Sequence, residues 1–420
     1  MLGRLLSLLV ICTLTLSSIA QCDGTRYRNL IFPEFEVTSD ILYGSNINYL
    51  GGEQDLYLDV YEPLGDTEVE RPLVVVAHGG SFVAGSKTGQ DVVPLCQDLA
   101  RMGYVVASIQ YRLGIPIIGD LNTNAKSAVV RGVHDSRAAI RYFRKDVAEN
   151  GNSFDIDPEK IFMAGVSAGG FNALHVAYMD EESEIPLEID QSQAGLGGGI
   201  EGESGNAGYS SAIAGVVNIA GAIAHPDIMN NNDTPVCSFH GTGDSVVPFD
   251  TDVLTFFGIF EVDTVYGSQA VHEQAELLEI ENCFFVQFLE GHVPHVDDAQ
   301  HYDTLRSITS NFLSHLVCPE VELDCNYRQV EVVSDLEEIA MEEPLFQLWP
   351  NPATEWIQLG SIDSRELRYS ILDVTGTEVM SGIYQDDIPR ISVSDLQNGV
   401  YLIRLESQKG VRTLRFNKRS

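Results

Sequence analysis

Four short stretches hold residues whose types could do chemistry together. The run IFMAGVSAGG (161–170) ends in Ser167, hemmed in by Gly165, Ala168, Gly169 and Gly170. A core strand wants bulk and a helix start wants a cap, so small residues on both sides point to a strand-to-helix turn too tight for side chains. Such a turn lifts the serine hydroxyl out of the core. A hydroxyl held there becomes a nucleophile once a base takes its proton. The stretch FFVQFLEGHVPHVDD (284–298) offers that base as His292, on a loop just beyond an apolar run, with His295 as competitor. The stretch VCSFHGTGDSVVPFD (236–250) offers an acid, Asp244, placed to accept the ring N–H of a histidine and fix its tautomer; Asp250 and Asp252 are weaker candidates. In VVVAHGGSFVAGS (74–86) a strand ends in His78-Gly79-Gly80. The backbone N–H groups of Gly79 and Gly80, with that of Ala168, are expected to form an oxyanion hole. His292, His295, Asp297, Asp298 and His301 together form an alternative metal-binding set. The triad reading needs neither a metal nor an organic cofactor, and none is expected.

The elements that must carry these residues are legible as short apolar runs. LVVVA (73–77), YVVASIQY (104–111), KIFMAG (160–165), AIAGVVNI (212–219), VCSFH (236–240) and FFVQF (284–288) read as strands covered on both faces. Residues 126–150 and 302–317 show helical spacing of apolar residues between them. This alternation predicts an α/β fold with a mostly parallel sheet, entered through antiparallel strands. Residues 180–208 break the pattern with eight acids and no base, then GLGGGIEGESGNAG. They are expected to be a mobile surface insertion, either a lid or an inert acidic loop. Beyond Cys325 an acidic linker (326–345) leads to alternating runs with turn signals at Thr375-Gly376 and Asn398-Gly399. Residues 346–420 therefore predict a small antiparallel all-β domain, a sandwich, with no His or Cys to do chemistry.

The ends and the bulk composition narrow the setting. Arg4, an apolar stretch from Leu5 to Leu16 and small residues up to Ala20 have the layout of a secretory signal peptide, residues 1–20. Gln21 before Cys22 argues against lipidation. No later stretch reaches about 18 uninterrupted apolar residues, so the mature chain is not expected to span a membrane. The 420 residues carry 25 basic against 61 acidic side chains, a net charge of −36, which repels phosphate backbones and makes nucleic acid an improbable partner. Of seven cysteines, Cys12 lies in the leader; the remaining six suggest disulfides, and Cys318 and Cys325, flanking a short loop, are the expected pair.

The chemistry-bearing residues run in the order serine, acid, histidine, each just beyond a strand. HGGSFVAGS, YVVASIQYRLG, DIDPEKIFMAGVSAGG, HGTGDSVVP and EGHVPH together resemble the α/β-hydrolase carboxylesterases, near the hormone-sensitive-lipase-like and feruloyl/acetyl esterase groups, over residues 40–317. The resemblance implies an α/β-hydrolase catalytic domain (21–325) acting on small or polysaccharide-linked esters or short-chain lipid esters. It implies Ser167 as nucleophile, Asp244 as acid, His292 as base, and Gly79, Gly80 and Ala168 at the oxyanion hole. Ser81 stands where the lipase-like pattern has a third glycine, so that loop is expected to be shaped differently. LWPNPATEWIQL, ILDVTGTEV, LQNGVYLIRL and RTLRFNK are similar to the C-terminal sorting domain of the type IX secretion system of Bacteroidetes, over residues 346–420. That implies the secretion machinery as a partner and a secreted or cell-surface protein exported through the periplasm. Two rival functions remain open at this point: a serine peptidase of prolyl-oligopeptidase type, and a non-catalytic surface-binding protein on a hydrolase scaffold.

Overall fold

The computed structural model describes residue 22 and residues 24–256, 260–333, 348–359, 367–373, 377–384, 390–407 and 410–419. The expected signal peptide and most of the expected linker lie outside the described residues. The chain divides into two compact units, Met1–Ser334 and Asp335–Ser420.

The first unit is built on strands β1 (Phe35–Ile47), β2 (Glu53–Pro63), β3 (Arg71–Ala77), β4 (Val105–Ile109), β5 (Ile156–Val166), β6 (Gly215–Ile219), β7 (Ala222–Ile223), β8 (Val236–Gly241), β9 (Thr251–Phe256), β10 (Phe260–Gly267) and β11 (Asn282–Gln287). Eight of them form one sheet in the order β1-β2-β4-β3-β5-β6-β8-β11. The pairs β1–β2 and β2–β4 are antiparallel, and every later pair is parallel. This is the doubly covered sheet of the α/β-hydrolase fold. Among the described residues, five α-helices cover it: α1 (Val93–Arg101), α2 (Leu121–Glu149), α3 (Ala168–Tyr178), α4 (Ser268–Leu277) and α5 (Ala299–Val317).

The period of two along a strand shows why the central runs are apolar throughout. Leu73, Val75 and Ala77 of β3 pack in one core with residues of α2, α3 and α4, while Val74 and Val76 pack in the other with residues of α1 and α5. Every strand expected from the sequence is present to within a few residues. The ribbon β9–β10, which joins β7 in a separate three-stranded sheet, has no counterpart among the expected strands; it begins directly after the Asp244 loop.

Three expectations are corrected. Cys318 does not pair with Cys325: the bridges are Cys22–Cys318 and Cys283–Cys325, and Cys96 and Cys237 are free and buried. Cys318 caps the end of α5, where the amino-terminal segment arrives, and Cys325 has travelled on to the start of β11; nearness along the chain did not bring these two Cβ atoms together. The insertion 180–208 is held in place over its second half. Arg137 and Arg141 of α2 both bond Glu201 (3.0 and 2.6 Å), Arg112 donates to Gly195 O (2.8 Å) and Ser204 Oγ (3.1 Å), and Ser204 donates to the fully buried Asp135 (2.6 Å). Finally, residues 326–333 belong to the first unit: Arg328 reaches Asn29 (2.8 Å), Ser310 (3.1 Å) and Asn311 (2.5 Å), and Leu30 bridges Val332.

The second unit has two antiparallel sheets. Strands β12 (Leu348–Trp349), β13 (Trp356–Leu359) and β16 (Arg390–Ser392) make one; β14 (Leu367–Leu372), β15 (Glu378–Tyr384), β17 (Gly399–Ser407) and β18 (Gly410–Lys418) make the other. Ile357, Ile371, Ile403, Leu405 and Phe416 form its core. Among the described residues, no helix is long and apolar enough to cross a membrane.

Candidate active site

The small residues around Ser167 are explained by what crowds them. A Cβ on Gly165 would run into the backbone of Gly169, one on Gly169 into the carbonyl of Ala77, and one on Gly170 would lie 2.8 Å from Asn218 Oδ1 and 2.9 Å from Gly221 Cα. The chain leaves β5 and enters α3 with no room for side chains, and Ser167 itself sits at φ 53°, ψ −115°. That is strained for a residue with a Cβ, and it is held by its own N–H donating to Ile219 O (2.8 Å) and by Phe171 N–H donating to Ser167 O (3.1 Å).

Three of the residues singled out in the sequence meet at this turn. Ser167 Oγ lies 2.9 Å from His292 Nε2, and His292 Nδ1 lies 2.6 Å from Asp244 Oδ2. A carboxylate only accepts, so Nδ1 carries the ring proton and Nε2 is free to accept from the serine. The acid loop and the histidine loop are stitched together by Thr242 N–H to Gln287 O (3.0 Å), Gly243 N–H to Glu290 O (2.8 Å) and Leu289 N–H to Thr242 Oγ1 (2.8 Å). This fixes the distance between two residues 48 positions apart.

The Asp244 side chain is fully buried, which by itself would push its carboxyl up. The hydrogen bonds from His240 and His292, the charge of His292 and the Val246 N–H outweigh this and hold it well below the usual carboxylate range. It is therefore ionised wherever the histidine works. His240 is an addition from the structure. The signal for it in the sequence is a histidine closing the buried run VCSFH, four residues before Asp244.

The other candidates go elsewhere. His295 is buried, contacts Asp91 O (3.4 Å) and does not join Ser167; burial pushes its pKa down. Asp250 and Asp252 accept from the next residue's backbone N–H and do not reach His292. The proposed metal set does not converge. Among the described residues, the only clustered ligand atoms belong to Cys22, Cys318 and Glu320, and those two cysteines are joined in a disulfide.

The glycine loop departs from expectation at one position. Gly79 N–H donates to Asp91 Oδ2 (2.7 Å), so it is engaged in holding the loop. Gly80 has φ 112°, and a Cβ there would run into the Ala84 carbonyl, which is why glycine is required. Ser81 follows at φ 54° and Phe82 at φ 58°, so a left-handed turn continues past the second glycine on residues that carry a Cβ. Among the described residues, the N–H groups of Gly80, Ser81 and Ala168 have no protein acceptor. His78 braces the loop: its Nδ1 donates to Gly79 O (2.7 Å), its Nε2 accepts from Gln110 (3.2 Å), and its ring stacks on Tyr111.

Beside Ser167 opens a cavity of about 460 Å³, walled mainly by apolar side chains such as Phe82, Val129, Val133, Phe171, Met179 and Leu254. The β9–β10 ribbon forms one wall and the α2 helix another. Lys126 of α2 pairs with Asp263 on the ribbon (2.5 Å) and with Glu188 in the insertion, joining three elements at the cavity rim.

Residues 58–224 match the BD-FAE family model, and residues 347–418 match that of the secretion system C-terminal sorting domain. The chain is 32% identical over 154 residues to pyrethroid hydrolase Ces2a of Mus musculus, covering 36% of this chain and 24% of that protein. It is 33% identical over 132 residues to lipase 1 of Geotrichum candidum, covering 30% and 23%. The chain thus spans about a quarter of the length of these curated relatives. Among solved structures, a Thermogutta terrifontis esterase with butyrate bound aligns with a TM-score of 0.47 at 19% identity, covering 68% of this chain and 95% of that one. The carboxyl-terminal match marks the chain for export, to the cell surface or beyond it.

Proposed function

We propose that the protein is an exported serine carboxylic ester hydrolase. The observation that carries this reading is the Ser167–His292–Asp244 chain of hydrogen bonds opening onto an apolar cavity. His292 Nε2 takes the Ser167 proton as Oγ attacks the ester carbonyl. The imidazolium is stabilised by Asp244, and the proton then passes to the departing alkoxide. Water, activated by the same histidine, releases the acid and frees the serine. The oxyanion is received by the N–H groups of Ala168, Gly80 and Ser81, since that of Gly79 is engaged by Asp91.

The cavity suits the apolar part of an acyl or aryl group, and its substrates are esters of small or polysaccharide-linked alcohols (acetyl or feruloyl) or short-chain lipid esters. The carboxyl-terminal unit serves the type IX secretion machinery, and residues 1–20 serve export into the periplasm. The test is covalent. A fluorophosphonate probe should label the wild-type protein at Ser167 and leave Ser167→Ala unlabelled. The variant should also lose at least about 10⁴-fold in turnover of p-nitrophenyl esters while remaining folded. Retention of most activity in folded Ser167→Ala would remove the proposal.

A further inference from the structure

The side of Asp244 away from His292 is occupied by a second histidine. His240, at the end of β8, is fully buried, and its Nε2 lies 3.2 Å from Asp244 Oδ2 and 3.2 Å from Val247 O. Both neighbours accept, so Nε2 carries the proton, and in the neutral ring Nδ1 must accept. The group that faces Nδ1 is Ser268 Oγ, 2.8 Å away, which donates to it. Ser268 Oγ in turn accepts from Asn218 Nδ2 (2.9 Å), and Asn218 Oδ1 accepts from Gly221 N–H (3.0 Å). Asn218 precedes Ile219, whose carbonyl holds the Ser167 N–H. A chain of polar contacts therefore runs from the serine turn through Asn218, Ser268, His240 and Asp244 to His292, and back to Ser167.

Asp244 is enclosed by this arrangement. Oδ1 accepts from the N–H groups of Val246 (2.8 Å) and Val247 (3.0 Å), Oδ2 accepts from His292, and His240 Nε2 stands 3.2 Å from Oδ2 on its other side. With two backbone donors on Oδ1 and a histidine on either side of Oδ2, the carboxylate cannot rotate without breaking bonds made by a buried side chain, and a buried bond left unmade is costly. We propose that His240 is a positioning residue: a buried imidazole protonated on Nε2, its tautomer set by Ser268 and Asn218, that keeps Asp244 Oδ2 directed at His292. This rests on the ester-hydrolase reading of the site.

The test compares His240→Phe, His240→Gln and Ser268→Ala on a soluble p-nitrophenyl ester. Phenylalanine keeps the volume and removes the donor. Glutamine places an amide N–H near the position of Nε2. His240→Phe should lower kcat about 10- to 100-fold with KM nearly unchanged, because a displaced carboxylate misdirects His292 and leaves the cavity intact. His240→Gln should recover most of that loss. Ser268→Ala, which lets the ring adopt the other tautomer, should fall between. In proton NMR, the downfield His292 Nδ1–H resonance should move in His240→Phe and return toward its wild-type position in His240→Gln.

If His240→Phe does not fold, wild-type kcat and an unmoved resonance in Ser268→Ala would overturn the inference. In folded His240→Phe the same result would overturn it. So would equal losses in the phenylalanine and glutamine variants with the resonance unchanged, since that would show a packing role alone. Either outcome leaves the ester-hydrolase reading standing as long as Ser167→Ala is inactive, whereas activity in Ser167→Ala would sink that reading instead.

Discussion

His134 should make the covering of α2 acid-labile. It lies on α2 with no exposure to solvent, its Nε2 donating to Gly199 O (2.8 Å) from the insertion that packs over the helix. Its Nδ1 is buried without a partner. Burial, aided by the charge of Arg112 and opposed by that of Asp135, pushes its pKa from 6.5 down to about 4. The unfolded chain therefore binds a proton at this residue between about pH 6.5 and pH 4, where the folded chain does not. Stability from this group is complete above the upper value, declines as pH falls, and is lost below the lower one. A shift of this size corresponds to about 3 kcal/mol. His134→Gln keeps an N–H for Gly199 and cannot titrate. Urea unfolding of wild type and variant should be compared at neutral pH and near pH 4. Carboxylates common to both chains titrate alike and cancel in the difference. The wild type should lose about 3 kcal/mol more than the variant over that range. A gap that stays constant with pH would show that His134 is not kept neutral by burial.

His292→Ala should match the loss in the serine variant, whereas His295→Ala should cost far less, as steady-state kinetics on a model ester will show; the reverse order would move the base by three residues. Gly80→Ala should lower kcat by about 10²- to 10³-fold, because the new Cβ meets the Ala84 carbonyl and distorts an oxyanion donor; unchanged kcat would take this loop out of the oxyanion site. A chain ended after Ser334 should hydrolyse model esters as well as the full chain, consistent with a separately folding carboxyl-terminal unit. One ended after Cys325 loses Arg328 and the Leu30–Val332 bridge and should melt lower; equal melting temperatures would return residues 326–333 to the linker.

The central strands and the order of the chemistry along them are legible in local patterning. Apolar runs such as LVVVA and KIFMAG fix strands locally, because burial on both faces leaves no other use for them, and the glycines beside Ser167 mark a turn whose crowding is local as well. Which residues converge was a different matter. Asp244 and His292 could be ranked above Asp250 and His295, yet only the stitched loops after β8 and β11 show which side chains share the space. Gly79 reads the same as Gly80 in HGGS; Asp91, twelve residues on, engages one N–H and not the other. Arg137 and Arg141 carry no mark in the sequence that they will fasten Glu201, so an acidic, glycine-rich insertion looked mobile. The β9–β10 ribbon and the Lys126 pairs at the cavity rim are hidden for the same reason. The cysteines paired across 296 and 42 residues instead of across their short loop. Local patterning specifies elements, because backbone geometry and burial act over a few residues. Hydrogen-bond partners, tautomers and cavity walls depend on atoms brought together from distant segments, and only the tertiary structure places those atoms.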